Sequence, residues 1–359
     1  MRILFDGHWW FDGPPSGQNV LHSLVSVWSR QYPDDQIVVE IQASDMGRQS
    51  EVIAGSGNIE VKSRPFKLHP LNIAARFGLA GKYDSYVSQN FVSPFSRQHR
   101  TVFVHDAMFQ EHKDWFSRKE LLYLSLIPAL MRSANLVLTS SHAEAERIKR
   151  LNPRLRVTPS AVGLAVPTAF QAAPSIKPES KLEPSKFLLA VGRLNIRKNL
   201  NLLAGALEKG GVISPNFPLV VVGTADGAVG DNRAITGAVS RGSVVMLGGL
   251  SNSHLKWLYE NCAVFTFPSL DEGFGLPVLE ARSAGAKLAL SEIPSFVELG
   301  GQATYFDPHD AGDIAHKVRA ALESADPNDS ETADSDFTWE KVIGRVRAEI
   351  VRDRQRGKS

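Results

Sequence analysis

Two glutamates, Glu272 and Glu280, stand eight positions apart around a glycine-rich segment. Carboxylates are poor phosphate ligands but accept well from paired sugar hydroxyls. Two cations, Arg193 and Lys198, stand five apart on a loop after an apolar run. Arginine offers a planar fork and lysine a point charge, so this pair can converge on a diphosphate. Gly273 and Gly275 let the backbone turn and approach a ligand closely, with amides and a helix start suited to an anion. Acids for hydroxyls and cations for a pyrophosphate together suggest a nucleotide sugar. A pair of glutamates also fits a glycoside hydrolase, but that chemistry gives Arg193, Lys198 and the glycine loops nothing to do. His105 ends an apolar run as His105-Asp106, at the rim where a parallel sheet binds ligands.

These residues need strands and helices to hold them. Val264 to Phe267 is a short β-branched and aromatic run suited to a strand buried on both faces, and it stops at Pro268. Pro277 sits where a first helical residue is favoured, which places Glu280 in the first turn. The same alternation recurs through the second half. An apolar strand ends at Gly192 and a helix follows through Leu203 and Leu207. A second strand ends at Gly223-Thr224, on the same crevice. A third ends at Leu247 and is followed by Gly248, Gly249, Leu250 and a helix over residues 253–261. Strand, helix, strand, helix implies right-handed crossovers and a doubly wound parallel sheet. In the first half, strands are expected over residues 3–5, 36–41, 59–62 and 101–106. A glycine-containing loop ending at Gly17 leads into a helix marked by Val20, Leu21, Leu24, Val25 and Trp28.

At 359 residues with 43% hydrophobic and 22% charged side chains, the chain has the composition of two soluble domains of ordinary size. Residues 171–185 hold Pro174, Pro178 and Pro184 without periodicity and read as a linker. That gives domains over 1–170 and 186–338. The net charge of +2 divides as +4 for residues 1–180 and −2 for the remainder, too little for a nucleic-acid partner. Residues 62–100 carry seven cations (Lys62, Arg64, Lys67, Arg76, Lys82, Arg97, Arg100) against one acid, Asp84, with Leu68, Leu71, Ile73, Phe77 and Leu79 between them. Such a surface suits peripheral contact with anionic membrane, or a pyrophosphate-linked acceptor. The same run also reads as a solvated face. The single cysteine, Cys262, excludes an internal disulfide and reads as a core thiol. The apolar start 3–5 is too short for a signal peptide, and no apolar run reaches spanning length, so the cytoplasm is the expected compartment. Asp334 and Asp336 lie in a polar acidic run and read as solvated loop.

The string Pro268-Ser269, then Glu272-Gly273-Phe274-Gly275-Leu276-Pro277 and Glu280, resembles the motif of two glutamates separated by seven residues in the retaining family-four glycosyltransferases of the GT-B fold. His105-Asp106, the stretch 132–141, Gly192-Arg193-Leu194 with Lys198-Asn199, residues 294–301 and Tyr305-Phe306-Asp307-Pro308 extend the resemblance over nearly the whole chain. Ala286-Lys287 stands where relatives more often carry Thr-Pro, and the loop 16–19 departs from their paired-glycine form. The resemblance implies two Rossmann-like doubly wound parallel-sheet domains facing across a cleft, with a final helix, 340–359, packed back on the first. It implies that Arg193 and Lys198 neutralise the donor diphosphate and that Glu272 holds sugar hydroxyls. Glu280 holds the ribose diol, His105 lies against the transferred sugar, and Leu247, Gly248 and Leu250 contact the base. Gly17, Gly192, Gly223, Thr224, Gly273, Phe274, Gly275 and Leu276 line the donor site; for Gly17 a plain strand-to-helix turn is the other reading. The expected reaction moves a hexose from a nucleotide-diphospho-sugar, with retention and without metal or cofactor, to a glycan or lipid-linked acceptor in polysaccharide assembly. The motifs look most like those of bacterial mannosyltransferases, making GDP-mannose the first donor; UDP-glucose, dTDP-rhamnose and GDP-fucose users share them. A silent nucleotide-sugar-binding partner of a glycan-assembly complex is the alternative from another class.

Overall fold

The computed structural model describes residues 1–64, 83–96, 98–223, 231–325 and 337–356. The chain divides into two units. One comprises Met1–Ala107, Leu122–Thr168 and Asp336–Ser359, and the other Met108–Leu121 and Ala169–Ser335.

In the first unit, seven strands form one parallel sheet. They are β1 (Arg2–Asp6), β2 (Gln36–Gln42), β3 (Ile59–Arg64), β4 (Ser85–Gln89), β5 (Arg100–Val104), β6 (Leu136–Thr139) and β7 (Ser160–Ala161). Their order is β3-β2-β1-β4-β5-β6-β7, with every pairing parallel. Ile37, Val38 and Val39 are all fully buried, as expected of a strand covered on both faces. The helix Pro15–Gln31 opens with proline and buries Val20, Leu21, Leu24, Val25 and Trp28, one 3.6-residue stripe.

The last helix, Trp339–Arg356, belongs to this unit. It buries Val342, Ile343, Val346 and Ile350, and Trp339 donates from Nε1 to the Val166 carbonyl at 2.9 Å. Arg347 pairs with buried Asp35 at 2.8 Å. Burial works against the Asp35 carboxylate, yet Arg347, the amino terminus and Trp28 together hold it down at about 2.

Of the cations between 62 and 100, Lys67, Arg76, Lys82 and Arg97 lie outside the described residues, as do the apolar side chains among them. Arg64 departs from the expected surface charge. It is 1% exposed and pairs with Asp6 at 2.7 Å, and Tyr86 donates to the other Asp6 oxygen. The ends of β1 and β3 lie two strands apart in one sheet, so this arginine turns inward to the Asp6 carboxylate and contributes nothing to a surface. Lys62 pairs with Glu60 at 3.2 Å.

The second unit has six parallel strands: β8 (Leu188–Val191), β9 (Leu219–Val222), β10 (Val244–Leu247), β11 (Val264–Phe267), β12 (Leu288–Ser291) and β13 (Thr304–Phe306). The order β10-β9-β8-β11-β12-β13 is the doubly wound arrangement expected from the sequence. Its direction reverses between β8 and β11, and there the carboxyl ends diverge into a crevice. Phe265 and Phe267 are at most 1% exposed, each worth about 2–3 kcal/mol of burial. These rings anchor the strand that carries the glutamate loop. Asp334 and Asp336 lie outside the described residues.

Candidate functional site

The loops after β8 and β11 meet at the reversal point of the second sheet. After Val191 the chain passes Gly192, and the Asn195 side chain accepts from the Lys198 amide, capping a short 3-10 turn, Ile196–Lys198. That turn sends Lys198 back over the strand end. Its methylenes cover Gly192, where a Cβ would lie 3.1 Å from the Lys198 Cδ. Its Nζ lies 4.3 Å from the Phe267 ring centroid, a cation–π approach. The Leu270 amide donates to the Arg197 carbonyl at 2.8 Å and ties the two loops together.

Glu272 sits among these groups, 8% exposed. Lys198 Nζ donates to its Oε1 at 2.5 Å and Ser269 Oγ to the same oxygen at 2.9 Å, while an Arg197 guanidinium nitrogen donates to Oε2 at 2.6 Å. Burial alone would raise the Glu272 carboxyl, but Arg197 and Lys198 outweigh it and hold the group below the usual range. Burial pulls Lys198 down to about 8, with Glu272 opposing and Arg197 and Arg193 adding to the fall. Arg193 is exposed at the loop's start, near enough for its charge to bear on Lys198. Around Glu272, the paired Arg197 and Lys198 and the nearby Arg193 outnumber its one carboxylate, a local positive excess that suits a polyanion.

The loop then runs through buried Gly273 and Phe274 to Gly275 at φ 110°, which caps the helix Leu276–Ser283. Any other residue there would be strained, and its Cβ would lie 2.8 Å from the Phe296 ring. The helix begins one residue earlier than the sequence suggests. Pro277 is therefore its second residue, and Glu280 lies beyond the first turn. There its Oε2 accepts from the Tyr259 hydroxyl at 3.1 Å, and burial raises its carboxyl to about 7 against that bond.

The remaining expected contacts line the same sheet edge. Gly223 packs so closely on the turn after β8 that a Cβ would fall 2.1 Å from the Gly192 carbonyl oxygen, which excludes a side chain. Thr224 lies outside the described residues. Leu247 ends β10, and Gly248 and Leu250 lie between it and the helix Asn252–Asn261, with open space beside Gly248.

In the first unit, His105 follows β5. Its backbone amide donates to Asn90 Oδ1 at 3.0 Å, and its Nε2 meets Gln89 Oε1 at 2.6 Å. Burial pushes the imidazole down to about 4, so the ring is neutral at physiological pH. The Trp9 ring lies 5.7 Å from the His105 ring and also against Gly17, where a Cβ would stand 2.5 Å from the indole. Gly17 is the third residue of its helix, and the observed reason for a glycine is the indole packed on it.

Arg197, Tyr259, Gln89 and Trp9 carry contacts that sequence spacing did not single out. Arg197 had one signal, its place beside Lys198; Tyr259 had none. Glu111, His112 and Asp271, the residue before Glu272, bring potential ligand atoms within 4.8 Å of one another.

The family described as glycosyl transferases group 1 matches residues 173–334. The serotype-specific mannosyltransferase WbdA of Escherichia coli is 33% identical over 144 residues, 39% of this chain and 18% of that protein. The chain thus matches under a fifth of that relative's length. O-antigen chain mannosyltransferase B of Escherichia coli is 25% identical over 276 residues, 71% of each protein. Among solved structures, sucrose-phosphate synthase from Thermosynechococcus elongatus aligns over 100% of this chain and 98% of its own, with a TM-score of 0.63 at 16% identity.

Proposed function

We propose, from the match of residues 173–334 to the glycosyl transferases group 1 family and the likeness of the fold to a solved glycosyltransferase-type structure, that the protein transfers mannose from GDP-mannose to a saccharide acceptor in O-antigen-type polysaccharide assembly. The observation that carries the reading is the convergence of Lys198 and Arg197 on Glu272 at the sheet's reversal point. The mannosyl specificity draws on the names of the two Escherichia coli relatives.

Breaking the anomeric C–O bond puts negative charge on the departing diphosphate and positive charge on the sugar ring. Lys198, Arg197 and Arg193 answer the first charge with fixed cations in a site of low dielectric, where such stabilisation is strongest. Without donor, the Glu272 carboxylate pairs with two of those cations and offsets one of their two charges. An arriving diphosphate competes for them, and Glu272 is freed to accept from hydroxyls of the transferred sugar. Glu280 accepts from the ribose diol, and His105, neutral, is suited to a hydrogen-bonding role and not to that of an acid. Retention at the anomeric carbon and independence from metal are parts of the same proposal.

Incubation with GDP-mannose, UDP-glucose, dTDP-rhamnose and GDP-fucose, with and without mannosylated acceptor, tests it through release of nucleoside diphosphate and the anomeric configuration of the product. Release from GDP-mannose that depends on Lys198 is expected. Turnover of another donor alone would correct the sugar, and binding without turnover of any would favour the silent partner.

A further inference from the structure

We infer that Tyr259 is a positioning residue for nucleotide recognition: its hydroxyl fixes Oε2 of Glu280 and so presents Oε1 to the ribose. This rests on the reading of Glu280 as the ribose acceptor. Tyr259 lies on the helix Asn252–Asn261 with no exposed surface. Its ring packs edge-on against Phe265 of β11 at 5.3 Å and Phe170 at 5.9 Å, which leaves the phenol no freedom. A buried hydroxyl demands a partner, and Glu280 supplies it at 3.1 Å. A glutamate side chain left free at a helix surface samples several rotamers, whereas one oxygen held by a rigid phenol has a single orientation. The other oxygen keeps its lone pairs for a ligand.

The charge state follows the same contact. The Tyr259 bond favours the carboxylate and opposes the burial that lifts Glu280 to about 7. The other titratable groups on the elements packed here are Arg282, Lys256, Glu260, Cys262, His254 and Glu298. Arg282, on the same helix, donates to the Leu299 carbonyl, and Lys256 to those of Gln171 and Ala173. Glu260 accepts from Ser175. Cys262, whose thiol burial pushes up to about 12, donates to the Tyr259 carbonyl. His254 has its amide on Ser251, and Glu298 stands on the helix Pro294–Leu299. Without the phenol hydroxyl, Glu280 holds its proton to higher pH and accepts less well from a diol at neutrality.

Calorimetric titration of the full chain with GDP, UDP and their 2′-deoxy forms, from pH 6 to 9, tests the inference on wild type, Tyr259→Phe and Glu280→Gln. Wild type is expected to prefer a ribonucleotide and to lose affinity as pH falls through about 7. Tyr259→Phe should weaken that ribonucleotide by about tenfold at pH 7, the worth of one hydrogen bond to a charged group. It should narrow the ribo/deoxy ratio, move the pH midpoint upward and leave inorganic pyrophosphate affinity unchanged. If Tyr259→Phe keeps the wild-type ratio and midpoint while Glu280→Gln loses the ratio, the positioning role is wrong and the ribose reading stands. If Glu280→Gln keeps the ratio, or wild type binds neither nucleotide, the ribose reading itself fails. Loss of pyrophosphate binding in Tyr259→Phe would show a general structural role and overturn the inference.

Discussion

Glu280→Gln should make the protein more stable and less able to bind nucleotide, and the size of the first effect can be worked from the structure. The folded carboxyl titrates at about 7 where an ordinary glutamate has 4.5. At about 1.4 kcal/mol per pH unit, that gap corresponds to about 3.4 kcal/mol. Glu280 keeps some exposed surface, and water there screens part of the penalty, so about 2 kcal/mol is the expected figure. The sign follows from where the proton sits. Between pH 4.5 and about 7 the folded chain holds a proton that the unfolded chain has released, so stability falls as pH rises through that window. Above about 7 the cost is present in full, and below 4.5 it vanishes. Glutamine keeps an oxygen for the Tyr259 hydroxyl and replaces the other, charged oxygen with a neutral amide nitrogen.

Differential scanning fluorimetry of the ligand-free full chain between pH 4 and 8 measures this. For a domain of this size, about 2 kcal/mol corresponds to a rise of about 4–8 °C. The rise should appear at pH 8 and disappear at pH 4, while the stabilisation given by added nucleotide shrinks. A glutamine variant no more stable than wild type at pH 8, or equally stabilised at both ends, would refute the claim that burial holds this charge at a cost.

Lys198→Ala should reduce turnover at least about a hundredfold, as for other single groups that stabilise developing charge, and Arg193→Ala comparably; steady-state release of nucleoside diphosphate reads both. The His105 ring should show no titration above pH 5 in proton–carbon spectra, since burial holds it at about 4, and a midpoint near 6.5 would place the ring in water. Activity should survive EDTA; its loss, with recovery on adding a divalent cation, would turn attention to Glu111, His112 and Asp271.

Much of the fold was legible because its signals are local. The run Val264–Phe267 is apolar at every position but Thr266 and forms β11 with the bounds the sequence indicates. The sequence of strands and glycine turns implies the parallel order that both sheets adopt. Helix starts were less legible. Gly275 in the left-handed region lets the helix begin at Leu276, and nothing in the order of residues distinguishes that from a start at Pro277. The basic stretch misled at Arg64, because a run of cations does not reveal which one faces an interior carboxylate two strands away.

The partners of the two glutamates show where local reading stops. Arg193 and Arg197 lie four apart in one loop, and charge alone does not say which reaches Glu272. The Asn195 cap winds residues 196–198 into a single turn, and the Leu270 amide fixes that turn through the Arg197 carbonyl. Once the turn is made, Arg197 and Lys198 both face the β11 loop while Arg193 stays at its exposed start. Tyr259 is more remote from sequence logic still. Its hydroxyl reaches Glu280 across 21 positions, because one helix enters β11 and another leaves it, and the two lie side by side. That adjacency is a property of the doubly wound topology, in which successive elements return to the same sheet. The topology therefore decides the electrostatics: the strand that delivers Glu272 to the cations at its carboxyl end also brings the helices on either side of it together, and with them the phenol that holds Glu280.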